Sequence, residues 1–73
     1  MRLIPVDSSG VRAVGYEEER KTLYVQYVDG DLYEYFEVPA SEVIELFQAD
    51  SVGWFVNKRI KPYYDYRKLE TAS

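Results

Sequence analysis

Nine residues in the last third of the chain mix cations with aromatic rings: Trp54, Lys58, Arg59, Lys61, Tyr63, Tyr64, Tyr66, Arg67 and Lys68. Such a mixture suits single-stranded nucleic acid. Cations meet phosphates, and each base stacked on a ring contributes about 1–3 kcal/mol. Trp54, Lys58, Arg59, Lys61, Tyr64 and Arg67 are therefore the candidate nucleic-acid contacts. The competing reading is a helix and tail whose rings pack on a sheet while the charges are merely solvated.

Three further residues are candidate ligand contacts. Tyr33 and Tyr35 stand two apart and share one face of a strand. Exposed, they make a stacking platform of the kind found on RNA-binding sheets. Turned inward they belong to the core, with their hydroxyls reaching a pocket rim. Asn57 falls in a helical stretch, where Asn is a poor former, so its side chain either ties down a loop or meets a ligand.

The chain has no His and no Cys. Disulfides and the usual zinc or iron–sulfur sites are excluded, and no metal or cofactor is expected. Ser8 and Ser9 lack a base to activate a hydroxyl, so they read as a turn. Three successive acids, Glu17 to Glu19, cannot all converge on one ion and read as a solvated connection. The glycines at 10, 15, 30 and 53 are too scattered to cradle a phosphate. The expectation is a binding module and not an enzyme.

These residues must be positioned by one small domain. Seventy-three residues bury roughly 60% of their unfolded surface, so the core is small, and without Cys or His it holds by apolar packing alone. The supply is 47% apolar residues, including 8 Tyr. No apolar run approaches a membrane span, and Met1 to Gly10 lacks the apolar core of a signal peptide. A cytoplasmic protein without a membrane partner is expected. Net charge is −4, divided unevenly: residues 1–57 carry 4 Lys/Arg and 11 Asp/Glu, residues 58–73 carry 5 and 2. That acidity makes any RNA binding weak and salt-sensitive.

Val11 to Tyr16, Lys21 to Val28 and Leu32 to Glu37 read as three strands of an antiparallel meander. Asp29-Gly30 marks the turn between the last two. A two-residue turn places Glu34 on the same face as Leu23 and Val25. A three-residue loop, Val28-Asp29-Gly30, instead groups Leu23, Val25, Tyr27, Tyr33 and Tyr35 and turns Glu34 away. The second is preferred because it keeps a carboxylate out of the core. Pro39 fits the first turn of a helix over Ala40 to Ala49, whose apolar face is read as Val43, Ile44 and Phe47. Ser51 caps a second short helix, Val52 to Ile60, with Val52, Phe55, Val56 and Ile60 inward. On that helix Trp54, Lys58 and Lys61 form a separate stripe. The tail Tyr63 to Leu69 is extended, either lying on the domain or adding a strand, and Glu70 to Ser73 are expected to fray. The fold class is α+β, with two short helices covering one face of the sheet.

Several pieces of this sequence, in this order, resemble the KTSC domain family, which is named for the C-terminal domain of some lysyl-tRNA synthetases and also occurs as small stand-alone bacterial proteins. They are Ser8-Ser9, Val14-Gly15-Tyr16, Tyr33-x-Tyr35-Phe36, Val38-Pro39, Ser51-x-Gly53, Phe55-x-Asn57, Ile60-Lys61 and Tyr66-Arg67. The resemblance implies a domain without assigned catalysis, acting near tRNA as a binder if it acts there at all. The alternative from a different class is a protein-interaction or homo-oligomerisation module, since a small tyrosine-rich sheet with an open edge can pair with another chain.

Overall fold

In the computed structural model, which describes residues 2–70, alternating apolar side chains build an antiparallel sheet of five strands in sequential order. The strands are β1 (Ile4–Pro5), β2 (Val11–Glu17), β3 (Thr22–Tyr27), β4 (Leu32–Tyr35) and β5 (Tyr66–Glu70). Between β4 and β5 run helix α1 (Ala40–Gln48), helix α2 (Val52–Phe55) and a π-helical turn, Val56–Ile60, that continues α2. The class is the expected α+β, but the sheet has five strands where three, or four if the tail added one, were expected; the tail does add one, β5, and β1 is the unforeseen strand. β1 is too short to show alternation. β5 carries Arg67 and Lys68 between its apolar residues, as an edge strand does. Glu70, expected to fray, is paired through its backbone with Leu32, while residues 71–73 lie outside the described residues.

The register between β3 and β4 is the preferred one. Val25 pairs with Tyr33 and Leu23 with Tyr35. The Tyr27 N–H donates to the Asp31 carbonyl at 2.8 Å, and Gly30 turns the loop at φ 99°, a conformation open to glycine. One face thus presents Val14, Leu23, Val25 and Tyr35 to Val43, Leu46, Val52, Phe55, Val56 and Ile60 of the helical layer, forming the core. On α1 the inward residues are Val43 and Leu46, with Ile44 and Phe47 exposed, contrary to the expected face. Val43 is inward as expected, and Leu46, three residues on and on the same side of the helix, takes the inward place expected of Ile44 and Phe47. The four inward residues of the second helix are buried as expected.

Register does not keep Glu34 out of the protein, however. Ala13, Thr22, Tyr24, Leu32 and Glu34 are all buried on the opposite face. Part of that cover is the N-terminal segment, since a Cβ on Gly15 would run into the Arg2 carbonyl and sit 3.3 Å from Leu3 Cδ2. Glu34 is 3% exposed and is compensated by Arg67, whose Nε donates to Oε1 at 2.8 Å.

One serine caps a helix and another joins distant segments. Pro39 occupies the N-cap of α1, one position before the first turn. Ser51 caps α2, its Oγ accepting from the Trp54 N–H at 3.2 Å. Ser8, expected to bond a local turn, instead accepts from the Gly53 N–H at 3.2 Å across the fold. A Cβ on Gly53 would stand 3.0 Å from that hydroxyl, so the close approach of the two segments depends on glycine.

Gly15→Ala should destabilise the domain by about 1–3 kcal/mol in urea denaturation, because the N-terminal segment must lift from the sheet. Gly10→Ala, where a Cβ meets nothing within 4 Å, should change stability by less than about 0.5 kcal/mol. Equal effects at the two sites would remove the account of Gly15.

Candidate functional site

Where the tyrosine face of the sheet runs beyond the helices, four rings gather. Tyr27 meets Tyr33 edge-on with centroids 5.4 Å apart. Tyr33 stacks on Tyr35 at 6.3 Å, and Tyr66 of β5 lies 5.6 Å from Tyr33 and 5.8 Å from Tyr35. The hydroxyls of Tyr27 and Tyr35 share a hydrogen bond of 2.9 Å, which satisfies both in a desolvated setting. Beside this cluster opens a cleft of about 530 Å³, lined by residues that include Tyr27, Tyr33, Tyr66, Asp29, Asp31 and Lys61, with Gly10 at one wall.

The cleft is aromatic with charges of both signs at its edge. The Lys61 ammonium stands 5.0 Å from the centre of the Tyr27 ring. Among the described residues no carboxylate pairs with it. Lys68 bonds Asp31 at 3.2 Å and lies 5.9 Å from the Tyr33 ring. That hydrogen bond to Asp31 pushes the Lys68 ammonium up from its ordinary value. Burial is the largest cause raising the Tyr27 hydroxyl far above the usual tyrosine range, with the bond to Tyr35 adding to it. Burial raises Tyr35 as well. Both hydroxyls therefore stay neutral and are unsuited to act as a base or nucleophile near neutral pH.

The expected basic–aromatic surface is not one patch. Arg59 turns to Glu42 at 2.9 Å and Glu45 at 3.7 Å, with its guanidinium over the Phe55 ring. Tyr64 donates to the other oxygen of Glu42 at 3.2 Å. Arg67 projects to the opposite face of the sheet and Glu34. Trp54 is 58% exposed but faces a separate hollow of about 390 Å³ with Glu45 and Asp50 in its walls. Asn57 and Lys58 are exposed on the π-turn, with no partner among the described residues. Asn57 therefore ties down no loop. The wide turn, closed by the Lys61 N–H to the Val56 carbonyl at 2.8 Å, offsets the α-helical spacing on which the Trp54, Lys58, Lys61 stripe was based.

Tyr35, a candidate contact, is 1% exposed and belongs to the core. Tyr33 is half-buried and does line the cleft, as does Lys61. Tyr27, Asp29 and Asp31 are cleft residues that the sequence reading does not single out, while Tyr66 belongs to its basic–aromatic stretch but not to its chosen contacts. Tyr27 carried a usable signal, because the preferred register already placed it beside Tyr33. Tyr66 stands in the basic–aromatic stretch, but only the pairing of β5 with β4 sets it beside Tyr33.

A family model described as "KTSC domain" matches residues 7–64. An uncharacterized protein of Stutzerimonas stutzeri is 37% identical over 71 residues, covering 96% of this chain and 100% of that one. A lysine–tRNA ligase of Nostoc sp. is 36% identical over 67 residues, which are 92% of this chain and 12% of the ligase. The crystal structure of a KTSC domain protein from Yersinia pestis superposes with a TM-score of 0.88 at 30% identity, covering 94% of this chain and 97% of that one.

The raised tyrosines give the fold a pH limit. A hydroxyl that ionises less readily folded than unfolded adds stability below its unfolded value, about 10, and that stability is lost as pH rises beyond it. The urea midpoint should therefore fall steeply above about pH 10. Tyr27→Phe should flatten that fall, and a fall of unchanged steepness would show that the Tyr27 hydroxyl is not the group responsible.

Proposed function

The chain belongs to the KTSC domain family, and from that premise we propose that it is a non-catalytic module that binds RNA, tRNA or another RNA with unpaired nucleotides, at the tyrosine–lysine cleft. The observation that carries this reading is the pairing of an unneutralised cation with an exposed ring. Lys61 has no carboxylate partner among the described residues, and Tyr66, 59% exposed, stands on the same cleft. A cation for a phosphate and a ring for a base are the two parts of single-strand binding. A cleft of about 530 Å³ is in the range that holds a small organic ligand, and so admits a nucleotide. The lysine–tRNA ligase relative supports RNA as the ligand, because its similar segment belongs to an enzyme acting on tRNA.

The domain does not catalyse. It has no His or Cys to serve as base or nucleophile, and the buried cleft hydroxyls stay protonated. Binding is weak, since Arg59, Arg67 and Lys68 are already spent on Glu42, Glu34 and Asp31. The lysine–tRNA ligase relative supports a cytoplasmic setting. Among the described residues no helix is long and apolar enough to cross a membrane.

A second reading, a protein-interaction or self-association module, is favoured by Ile44 and Phe47, exposed at 58% and 44% one turn apart on α1. Sedimentation at rising concentration distinguishes it: a constant monomer mass counts against self-association.

NMR titration with tRNA and with a short single-stranded RNA tests the first reading. Shifts should cluster at Tyr33, Lys61 and Tyr66. Tyr66→Ala and Lys61→Glu should each weaken binding by roughly tenfold, whereas Arg59→Gln leaves it within about twofold. Each phosphate contact should steepen the salt dependence by a slope of about −0.7. No shift at low salt would end the RNA reading.

A further inference from the structure

The cleft presents a carboxylate acceptor to a base that enters it. The Tyr27 hydroxyl is engaged with Tyr35, and Lys68 with Asp31. Besides the hydroxyls of Tyr33 and Tyr66, the ligand's polar edge meets the carboxylate of Asp29, at the tip of the β3–β4 turn and on the cleft wall. A carboxylate has two oxygens with about four acceptor sites and no donor. One site on Asp29 Oδ1 is used by the Asp31 N–H at 2.9 Å, a bond that also fixes the carboxylate in place beside the rings. Among the described residues no cation pairs with it.

Resting on the RNA reading of this cleft, we infer that it selects a guanine-bearing unpaired nucleotide, with Asp29 as the residue that reads the base. Guanine alone among the four RNA bases has two adjacent donors, N1–H and the exocyclic amino group, on one edge. Those two donors match the two oxygens of a carboxylate. Adenine and cytosine offer an amino group beside a bare ring nitrogen, which the carboxylate repels. Uracil flanks its single N–H with two carbonyl oxygens, and both of them would face Asp29. In the bound state the base lies on Tyr66, its edge meets Asp29, and its phosphate meets the Lys61 ammonium. The selection is electrostatic as well as geometric, because the acceptor is charged and charge-assisted bonds are roughly twice as strong as neutral ones.

The test uses the full chain and a set of short single-stranded RNAs identical except for one central base. Affinities are read by NMR titration for the wild type and for Asp29→Asn. That variant keeps an oxygen for the Asp31 N–H, so the turn is preserved, but replaces one acceptor by a donor. The wild type should prefer the guanine-containing RNA over the uracil-containing one by roughly tenfold. Asp29→Asn should abolish that preference while leaving binding of the uracil-containing RNA unchanged or tighter. Equal binding of all four RNAs, or a guanine preference that survives Asp29→Asn, overturns the inference and leaves the RNA reading standing. Absence of binding by every RNA overturns both.

Discussion

A slip of one residue between β3 and β4 would exchange the faces of every side chain on β4, and through it the partners of β5. The turn at Val28-Asp29-Gly30 forbids that slip, with Gly30 at φ 99° and the Tyr27 N–H held to the Asp31 carbonyl at 2.8 Å. Tyr33 and Tyr35 are thereby aligned with Val25 and Leu23. The same register sends Glu34 to the other side and so demands a cation there. β5 supplies it: Arg67 pairs with Glu34 on one face while Tyr66 joins Tyr33 and Tyr35 on the other. One turn thus accounts for the core, the buried ion pair and the aromatic wall of the cleft.

Charge is segregated along the chain and mixed in space. The basic terminal stretch folds back onto the acidic body, and its cations are consumed there. Arg59 lies against Glu42, Arg67 against Glu34, and Lys68 against Asp31. The pairs at Arg59 and Lys68 are partly exposed and contribute little stability. Arg67 matters more, because it offsets a carboxylate that is almost fully desolvated, and a buried carboxylate left without a partner is costly. The electrostatic consequence is that a surface of five cations shrinks to Lys61 and Lys58. An acidic protein can still bind RNA on such terms, but only through a local site in which rings contribute as much as charge.

The legible part of this fold was the part governed by alternation and turn chemistry. Leu23, Val25 and Tyr27 alternate cleanly, and Asp29-Gly30 names its turn, so two strands and their register could be read from residue types. Ser51 and the four inward residues of the second helix followed from capping and 3.6 periodicity. β5 was harder, since at an edge strand charged residues are tolerated on either face and the alternation signal is lost. The π-turn was invisible for a related reason: it is a hydrogen-bonding choice, the Lys61 N–H reaching back five residues to Val56, and no residue type demands it. It also offset the stripe that joined Trp54 to Lys61, which is why the candidate site read from spacing divided between two hollows. Glu34 shows the limit of the burial argument. Keeping a carboxylate from one face says nothing of the other face, and only a long-range partner makes its burial tolerable.

The tyrosines carry both stability and the candidate site, and the boundary between those roles runs through a single strand. Tyr35 is sealed, with its hydroxyl satisfied by Tyr27. Tyr33, two residues earlier on the same face, is half-exposed, and Tyr66 beside it is mostly in solvent. The helical layer is too short to cover the whole sheet, so the core ends partway along β4 and its last rings become a surface. That surface is rigid for the same reason that it is exposed: its rings are held edge to face and in stacks by the ones that are buried. A ligand ring arriving there meets side chains that have already lost their freedom on folding, so the entropic cost of ordering the site falls on the fold and not on the binding step. In a chain this small, no separate scaffold is available to hold a site in place. The core's own edge supplies that support.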